Sequence, residues 1–204
     1  MIIIGAGGHG REILDSLINN KYKNQITFFD DDTSINDIYN KYKVVHNEAE
    51  ILNIINSEPN FCIAVGKPVL RKSLVNKFLK LGGKLVSIID KSVSIGLNNN
   101  IETGVNFMNG VVITNSTNIG KGVLINALSS IHHDVTIGEF TEISPGARIL
   151  GGAKIGKLCR IGANACVLPN VKIGDNVIIG AGAVVNNDLP DNCTAMGVPA
   201  KIKK

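Results

Sequence analysis

Tryptophan is absent from this 204-residue chain, and aromatic residues of every kind make up 4% of it. A core without rings must be built from aliphatics. Here those are chiefly Ile and Val, whose β-branched side chains suit strand packing. No long basic run occurs, and the net charge of +4 is too mild to argue for a nucleic-acid partner. No segment approaches about eighteen consecutive apolar residues, so no membrane span is expected. The N-terminus runs from Ile2-Ile3-Ile4 straight into glycines and lacks the basic start and long apolar stretch of a signal peptide. None of the four cysteines, Cys62, Cys159, Cys166 and Cys193, forms a CxxC pair, so zinc ribbons and redox motifs find no support. Free thiols in a reducing compartment, and hence a cytoplasmic protein, are the expectation. With 44% hydrophobic and 19% charged residues, disorder is excluded as well.

What the chain does have is a repeat. From Val93 to Asp188 it cuts into sixteen consecutive hexads without a gap. The third position, read from Ile95 to Val185 in steps of six, is apolar throughout, and is Ile or Val everywhere except Phe107. The first position is small or β-branched in every hexad but that of Asn99. A period of six fits neither a helix nor a simple alternating strand. It fits a short flat strand, a corner, and another strand, with three such faces closing one coil. The aliphatics then point inward and stack on their equivalents about 4.8 Å away in the next coil. Gly120, Gly138, Gly156 and Gly174 recur at one corner, where glycine would relieve backbone strain. A parallel β-helix of about five coils is expected, and spacing does not set its hand.

Residues 1–90 alternate strand and helix. Strands are expected at Ile2–Ile4, Ile26–Phe29, Phe61–Val65 and Leu85–Ile89. Helices are expected at Arg11–Asn20, Glu48–Ser57 and Val69–Leu81, with Ile13, Leu14, Leu17 and Ile18 forming the buried face of the first. This is a small Rossmann-like α/β unit, followed by the β-helix over residues 91–204. Its first turn, Gly5-Ala6-Gly7-Gly8-His9-Gly10, matches GxGxxG between a strand and a helix, the setting in which backbone and helix N-terminus approach a phosphate. Asp30 and Asp31 end the second strand, where a ribose-binding carboxylate would sit. The unit has the size of one mononucleotide-binding half, which favours a single nucleotide, or the sugar attached to one, over a dinucleotide. A ligand-free glycine turn would carry the same letters.

Catalytic groups on a regular prism should break its pattern. The conspicuous break is Ser129-Ser130-Ile131-His132-His133-Asp134, which holds two of the four histidines. Acyl transfer from a thioester needs a general base for the attacking amine or hydroxyl. An imidazole titrates near neutrality, and an adjacent carboxylate fixes its tautomer. On this reading His133 is the base and His132 a packing or solvated residue. His46 reads as a surface residue in a polar loop.

At these residues the chain resembles a known family. A β-helix with His133-Asp134-Val135-Thr136-Ile137-Gly138-Glu139-Phe140, preceded by the GAGGHG unit and followed by Gly197-Val198-Pro199-Ala200-Lys201, is similar to one subgroup of bacterial hexapeptide-repeat sugar acetyltransferases. The subgroup includes bacillosamine-pathway UDP-4-amino-sugar N-acetyltransferases, perosamine N-acetyltransferases and sialic acid O-acetyltransferases. The resemblance covers nearly the whole chain. It implies a left-handed β-helix, acetyl-CoA as co-substrate without a metal, and a homotrimer with acetyl-CoA in a groove between neighbouring β-helices. It also implies that His133 is the general base, Asp134 the acidic residue that tunes it, and Asn126 a neighbour of the acceptor amine. Gly7, Gly8, His9, Asp30, Asp31 and Gly66 would hold the nucleotide sugar. Gly151 would offer its N–H to the thioester oxygen, Ala163 and Ala181 would meet the pantetheine arm, and Lys201 would reach a CoA phosphate. Glu142 departs from the pattern, standing where relatives often carry a second His beside acetyl-CoA. That role is either absent here or taken by another residue such as His132.

The resulting expectation is N-acetylation of the 4-amino group of a nucleotide-linked sugar, with O-acetylation of sialic acid or another sugar as the nearest variant. A trimeric β-helix metalloenzyme would need three His ligands on zinc, and the β-helix has only His132 and His133. A non-catalytic nucleotide-binding protein would leave the His-Asp pair without purpose, and a nicotinamide enzyme would need a second half-domain. Gly66-Lys67-Pro68 and Arg71-Lys72 could meet a phosphate or a carboxylate alike.

Overall fold

The structure, a computed structural model, describes residues 1–203. It forms two compact units divided between Ile88 and Ile89. Lys204, the last residue of the basic tail, lies outside the described residues.

The first unit is a six-stranded sheet in the order β3-β4-β2-β1-β5-β6, with β1 Ile2–Ile4, β2 Thr27–Phe29, β3 Asp37–Ile38, β4 Tyr42–Val45, β5 Asn60–Ile63 and β6 Lys84–Leu85. All neighbours are parallel except the β3–β4 hairpin. The hairpin was not expected, because its strands are short and polar. Tyr39 and Asn40 turn it at positive φ, and only Ile38, Val44 and Val45 are buried. Helix α1 runs Gly8–Asn19, starting within the glycine turn rather than at Arg11. Its buried stripe is Gly10, Ile13, Leu14 and Leu17, the 3.6-residue spacing, which leaves the expected Ile18 half exposed. Helix α2, Glu48–Ser57, is capped by Asn47, whose Oδ1 accepts from the Glu50 N–H at 2.9 Å. Helix α3, Pro68–Lys80, opens on a proline that needs no partner for a missing N–H.

The second unit is a parallel β-helix. Every hexad contributes a two-residue strand from its second and third positions, from Ser94–Ile95 to Val184–Val185. Residues eighteen apart pair in register, so that Ile113, Ile131, Ile149, Val167 and Val185 stack up one wall. Three sheets result, parallel among the hexad strands. The apolar third-position residues from Phe107 onward line the interior, each contributing about 1.5–3 kcal/mol by leaving water. At the end of the prism Ile95 stays exposed, since no coil covers it. Asn99, the exception at the first position, satisfies its whole carboxamide there. Its Nδ2 donates to Gly96 O and Thr114 O, and its Oδ1 accepts from the N–H and Oγ1 of Thr117.

The corner glycines have a different cause from the one expected. Gly120, Gly138, Gly156 and Gly174 do not carry positive φ. They are required because a Cβ would enter the backbone of the next coil; at Gly138 it would lie 2.6 Å from Gly156 C and Lys157 N. The left-handed conformation falls instead on the sixth hexad position, every sixth residue from Asn98 to Gly182. Asp134 is one of these, at φ 60°.

Candidate active site

In the first unit the ends of the parallel strands gather the glycine turn and its neighbours. Gly5 at φ 111° and Gly10 serve packing: a Cβ on Gly5 would meet Ala64 O at 2.8 Å, and one on Gly10 would meet Gly5 O. Gly7 and Gly8 face open space and are exposed. Gly7 caps α1 without any side-chain hydrogen bond, so the first N–H groups of the helix remain open to a ligand. Asp30 is already engaged. Its Oδ2 accepts from the Ala6 N–H at 2.7 Å and its Oδ1 from the Asp32 N–H at 3.0 Å, which ties the end of β2 to the glycine turn. Asp31 is exposed. His9 directs Nδ1 to Glu12 Oε2 at 3.0 Å along α1, leaving Nε2 enclosed without a partner.

Two expectations change here. His46 is not a free surface residue, because its Nδ1–H donates to Asp30 O at 3.0 Å and its Nε2 is buried. Arg71 does not face solvent for a phosphate. It is 2% exposed, and its Nη1 donates to Val65 O at 3.2 Å and Gly66 O at 2.9 Å. The guanidinium therefore pins the loop that carries Gly66.

In the second unit the residues proposed for chemistry fall on two corners. His133, Asp134 and Gly151 share one. His133 Nδ1 lies 2.8 Å from Asp134 Oδ2, and the side chains are 61% and 65% exposed. A carboxylate can only accept, so Nδ1 carries the proton and the Nε2 lone pair is left free. The ring lies over Gly151, eighteen residues on, where a Cβ would stand 2.5 Å from Nε2. Gly151 O accepts from the Asn170 N–H, while its own N–H has no hydrogen bond among the described residues. An imidazole acceptor and an unused backbone donor thus adjoin one another, the two elements needed to remove a proton and to receive an oxyanion.

Asn126, Ala163 and Ala181 lie on the preceding corner. Asn126 is half-buried, and the Gly182 N–H donates to Ala163 O at 2.8 Å, stacking the coil of Ala181 beneath. Within one chain, strand Ser130–Ile131 separates this corner from His133. Glu142 sits on the adjoining face, largely buried. Its Oε2 accepts from Arg160 Nε at 3.3 Å and its Oε1 from Ser144 Oγ at 3.4 Å. The sequence reading missed Arg160 as its partner, although their spacing of eighteen residues is the signal that would have found it. Lys201 lies in a terminal strand, Lys201–Ile202, exposed and antiparallel to Thr194–Met196. Among the described residues no three His, Cys, Asp or Glu side chains converge as a metal cage would require, and no helix is long and apolar enough to cross a membrane.

Comparison with known proteins places this geometry in a family. Residues 1–78 match the PglD N-terminal domain, and residues 116–151 and 152–187 match the bacterial transferase hexapeptide of six repeats. A variant of perosamine N-acetyltransferase from Caulobacter crescentus, solved with CoA and GDP-perosamine, superposes with a TM-score of 0.92 at 31% identity over 100% of this chain and 96% of its own. The acetyltransferase domain of PglB from Neisseria gonorrhoeae FA1090, in complex with acetyl coenzyme A, gives 0.90 at 31% identity over 99% and 98%. WeeI from Acinetobacter baumannii AYE shares the fold, with a TM-score of 0.73 at 23% identity over 99% of this chain and 98% of its own. The chain therefore belongs to the hexapeptide-repeat, left-handed β-helix sugar acetyltransferases, in the subgroup that carries a PglD-type N-terminal domain.

Proposed function

We propose that this acetyltransferase moves the acetyl group of acetyl-CoA onto the 4-amino group of a nucleotide-linked amino-deoxy sugar by direct attack. The observation that carries the reading is the His133–Asp134 pair at 2.8 Å with its imidazole over Gly151. The CoA and GDP-perosamine bound to the Caulobacter relative support both substrates. Asp134 holds Nδ1–H and so aims Nε2 at the acceptor amine. As nitrogen attacks the thioester carbonyl, His133 takes the amine's proton and can return it to the departing CoA thiolate. Charge developing on the carbonyl oxygen meets the unused N–H of Gly151. A positioned general base contributes about 10²–10⁴-fold, and it is more effective where water is excluded.

The remaining roles follow the family pattern. Asn126 steadies the acceptor amine. Gly7, Gly8, His9, Asp30, Asp31 and Gly66 hold the nucleotide. Ala163 and Ala181 offer backbone to the pantetheine arm, and Lys201 a cation to a CoA phosphate. The 1–90 unit binds the nucleotide and the 91–204 unit acetyl-CoA, in a homotrimer with active sites between subunits. Glu142, committed to Arg160, serves as a fixed wall of the acetyl-CoA site and not as a second base.

The test is thiol release from acetyl-CoA with UDP-, GDP- and dTDP-linked 4-amino sugars and with sialic acids. Turnover is expected with a 4-amino nucleotide sugar and is lost in His133→Ala while the assembly stays intact. Full activity in that variant would overturn the base assignment, and turnover confined to sialic acids would overturn the acceptor.

A further inference from the structure

Beside the His133 corner the β-helix carries a polar group with one unpaired guanidinium that the mechanism above does not use. On the face formed by strands Val112–Ile113, Ser130–Ile131, Arg148–Ile149 and Cys166–Val167, second-position side chains point outward, opposite the buried third-position aliphatics. Ser130 and Arg148 are directly paired across adjacent coils. His132, two residues after Ser130, lies on the same side, with Ser130 Oγ and His132 Nε2 3.5 Å apart. Arg148 is exposed and joins no ion pair among the described residues. The outward row of this face is Ser94, Val112, Ser130, Arg148, Cys166 and Val184, which contains no carboxylate to balance it.

We propose that Ser130, His132 and Arg148 form an anion subsite for a phosphate group of a substrate, next to the catalytic imidazole. The proposal deepens the acetyl-transfer reading and rests on it for the identity of the anion. A guanidinium is a donor-only group, and a hydroxyl and an imidazole can each turn an O–H or N–H toward a phosphate, whose oxygens Arg favours by bidentate geometry. Adjacent coils stand about 4.8 Å apart, which brings donors from Ser130 and Arg148 within the span of one phosphate. Both substrates of the proposed reaction carry such groups: the diphosphate of the nucleotide sugar and the phosphates of CoA. His132, which reads in the sequence as a packing or solvated residue, then acts as a substrate-binding residue rather than as the base. Its Nε2 lies within 3.5 Å of Ser130 Oγ, the residue that pairs with Arg148 in the next coil.

The test uses the full-length protein and two independent readouts. Inorganic pyrophosphate binding is measured by titration calorimetry for wild type, Arg148→Ala, Arg148→Lys and Ser130→Ala. One class of site is expected to weaken at least tenfold in Arg148→Ala and to recover only in part in Arg148→Lys, whose ammonium keeps the charge but not the planar fork, with a smaller loss in Ser130→Ala. Steady-state kinetics then identify the source, through a rise of KM for the nucleotide sugar alone or for acetyl-CoA alone, with kcat changed less than threefold. Identical pyrophosphate isotherms for wild type and Arg148→Ala overturn the subsite, as does an Arg148→Lys variant no better than Ala. Because pyrophosphate binding needs no turnover, a wild type inactive toward every acceptor would reject the acetyl-transfer reading, while the calorimetry would still decide the subsite.

Discussion

The imidazole of His133 lies against the Cα of Gly151 so closely that a methyl group there would stand 2.5 Å from Nε2. Gly151→Ala is therefore expected to push the ring off its contact with Asp134. The ring is an exposed, movable group, so the melting temperature should shift by no more than a few degrees. Misplacing a catalytic group by about 1 Å costs on the order of 10²-fold, so kcat should fall sharply. A Gly151→Ala enzyme with wild-type kcat would show that ring position does not matter.

Asp134 occupies a left-handed corner, a conformation that Asn tolerates as readily as Asp. Asp134→Asn should consequently fold normally. Its amide cannot stabilise the imidazolium and can present either donor or acceptor to Nδ1, so kcat should drop by about 10²-fold. Turnover and circular dichroism on the same preparation separate the two effects. Loss of structure would mean that the corner, and not the charge, is what Asp134 supplies.

At Gly138 a side chain would strike backbone, Gly156 C and Lys157 N at 2.6 Å, and backbone cannot swing aside. Gly138→Ala should destabilise the β-helix by about 1–3 kcal/mol, the usual cost of overpacking. Urea denaturation followed by far-ultraviolet circular dichroism gives the number, and a stability equal to wild type would mean the coils are less tightly stacked than this.

Arg71→Met keeps much of the buried volume but removes the donor that holds Val65 O and Gly66 O. Leaving two half-buried carbonyls without this donor should cost about 1–3 kcal/mol. KM for the nucleotide sugar should rise with it, since Gly66 loses its pin. Unchanged stability and KM together would make Arg71 dispensable.

Burial pushes the Cys62 thiol up to about 12 and the Cys159 thiol up to about 11, from an ordinary value of 9.0. Above pH 9 the unfolded chain releases these protons while the folded chain keeps them, so the unfolded state is favoured as pH rises. The stabilisation is fully present below pH 9 and is lost between pH 9 and the raised values, by about 1 kcal/mol per pH unit for each thiol. Urea midpoints at pH 8 and pH 10 should differ more in wild type than in the Cys62→Ala, Cys159→Ala double variant. Equal pH dependence in the two would refute the assignment.

The architecture of the second unit was legible because its order is local arithmetic. A residue every six positions meets the interior, and a residue eighteen positions on is its neighbour in the next coil. That rule reaches even to contacts that were passed over, such as Glu142 with Arg160, His133 with Gly151 and Ser130 with Arg148. It could not give the reason for the corner glycines, since the spacing of Gly138 is the same whether φ or crowding demands it.

No such rule governs the first unit. There the GxGxxG letters and the buried strands determined an α/β unit with an open helix N-terminus. The β3–β4 hairpin, the inward turn of Arg71, and the ties from Asp30 to Ala6 and His46 were decided only by the folded chain. Those contacts join segments with no fixed period between them. A polar side chain there takes whichever donor or acceptor the packing leaves unpaired, and one-dimensional spacing carries no record of that choice.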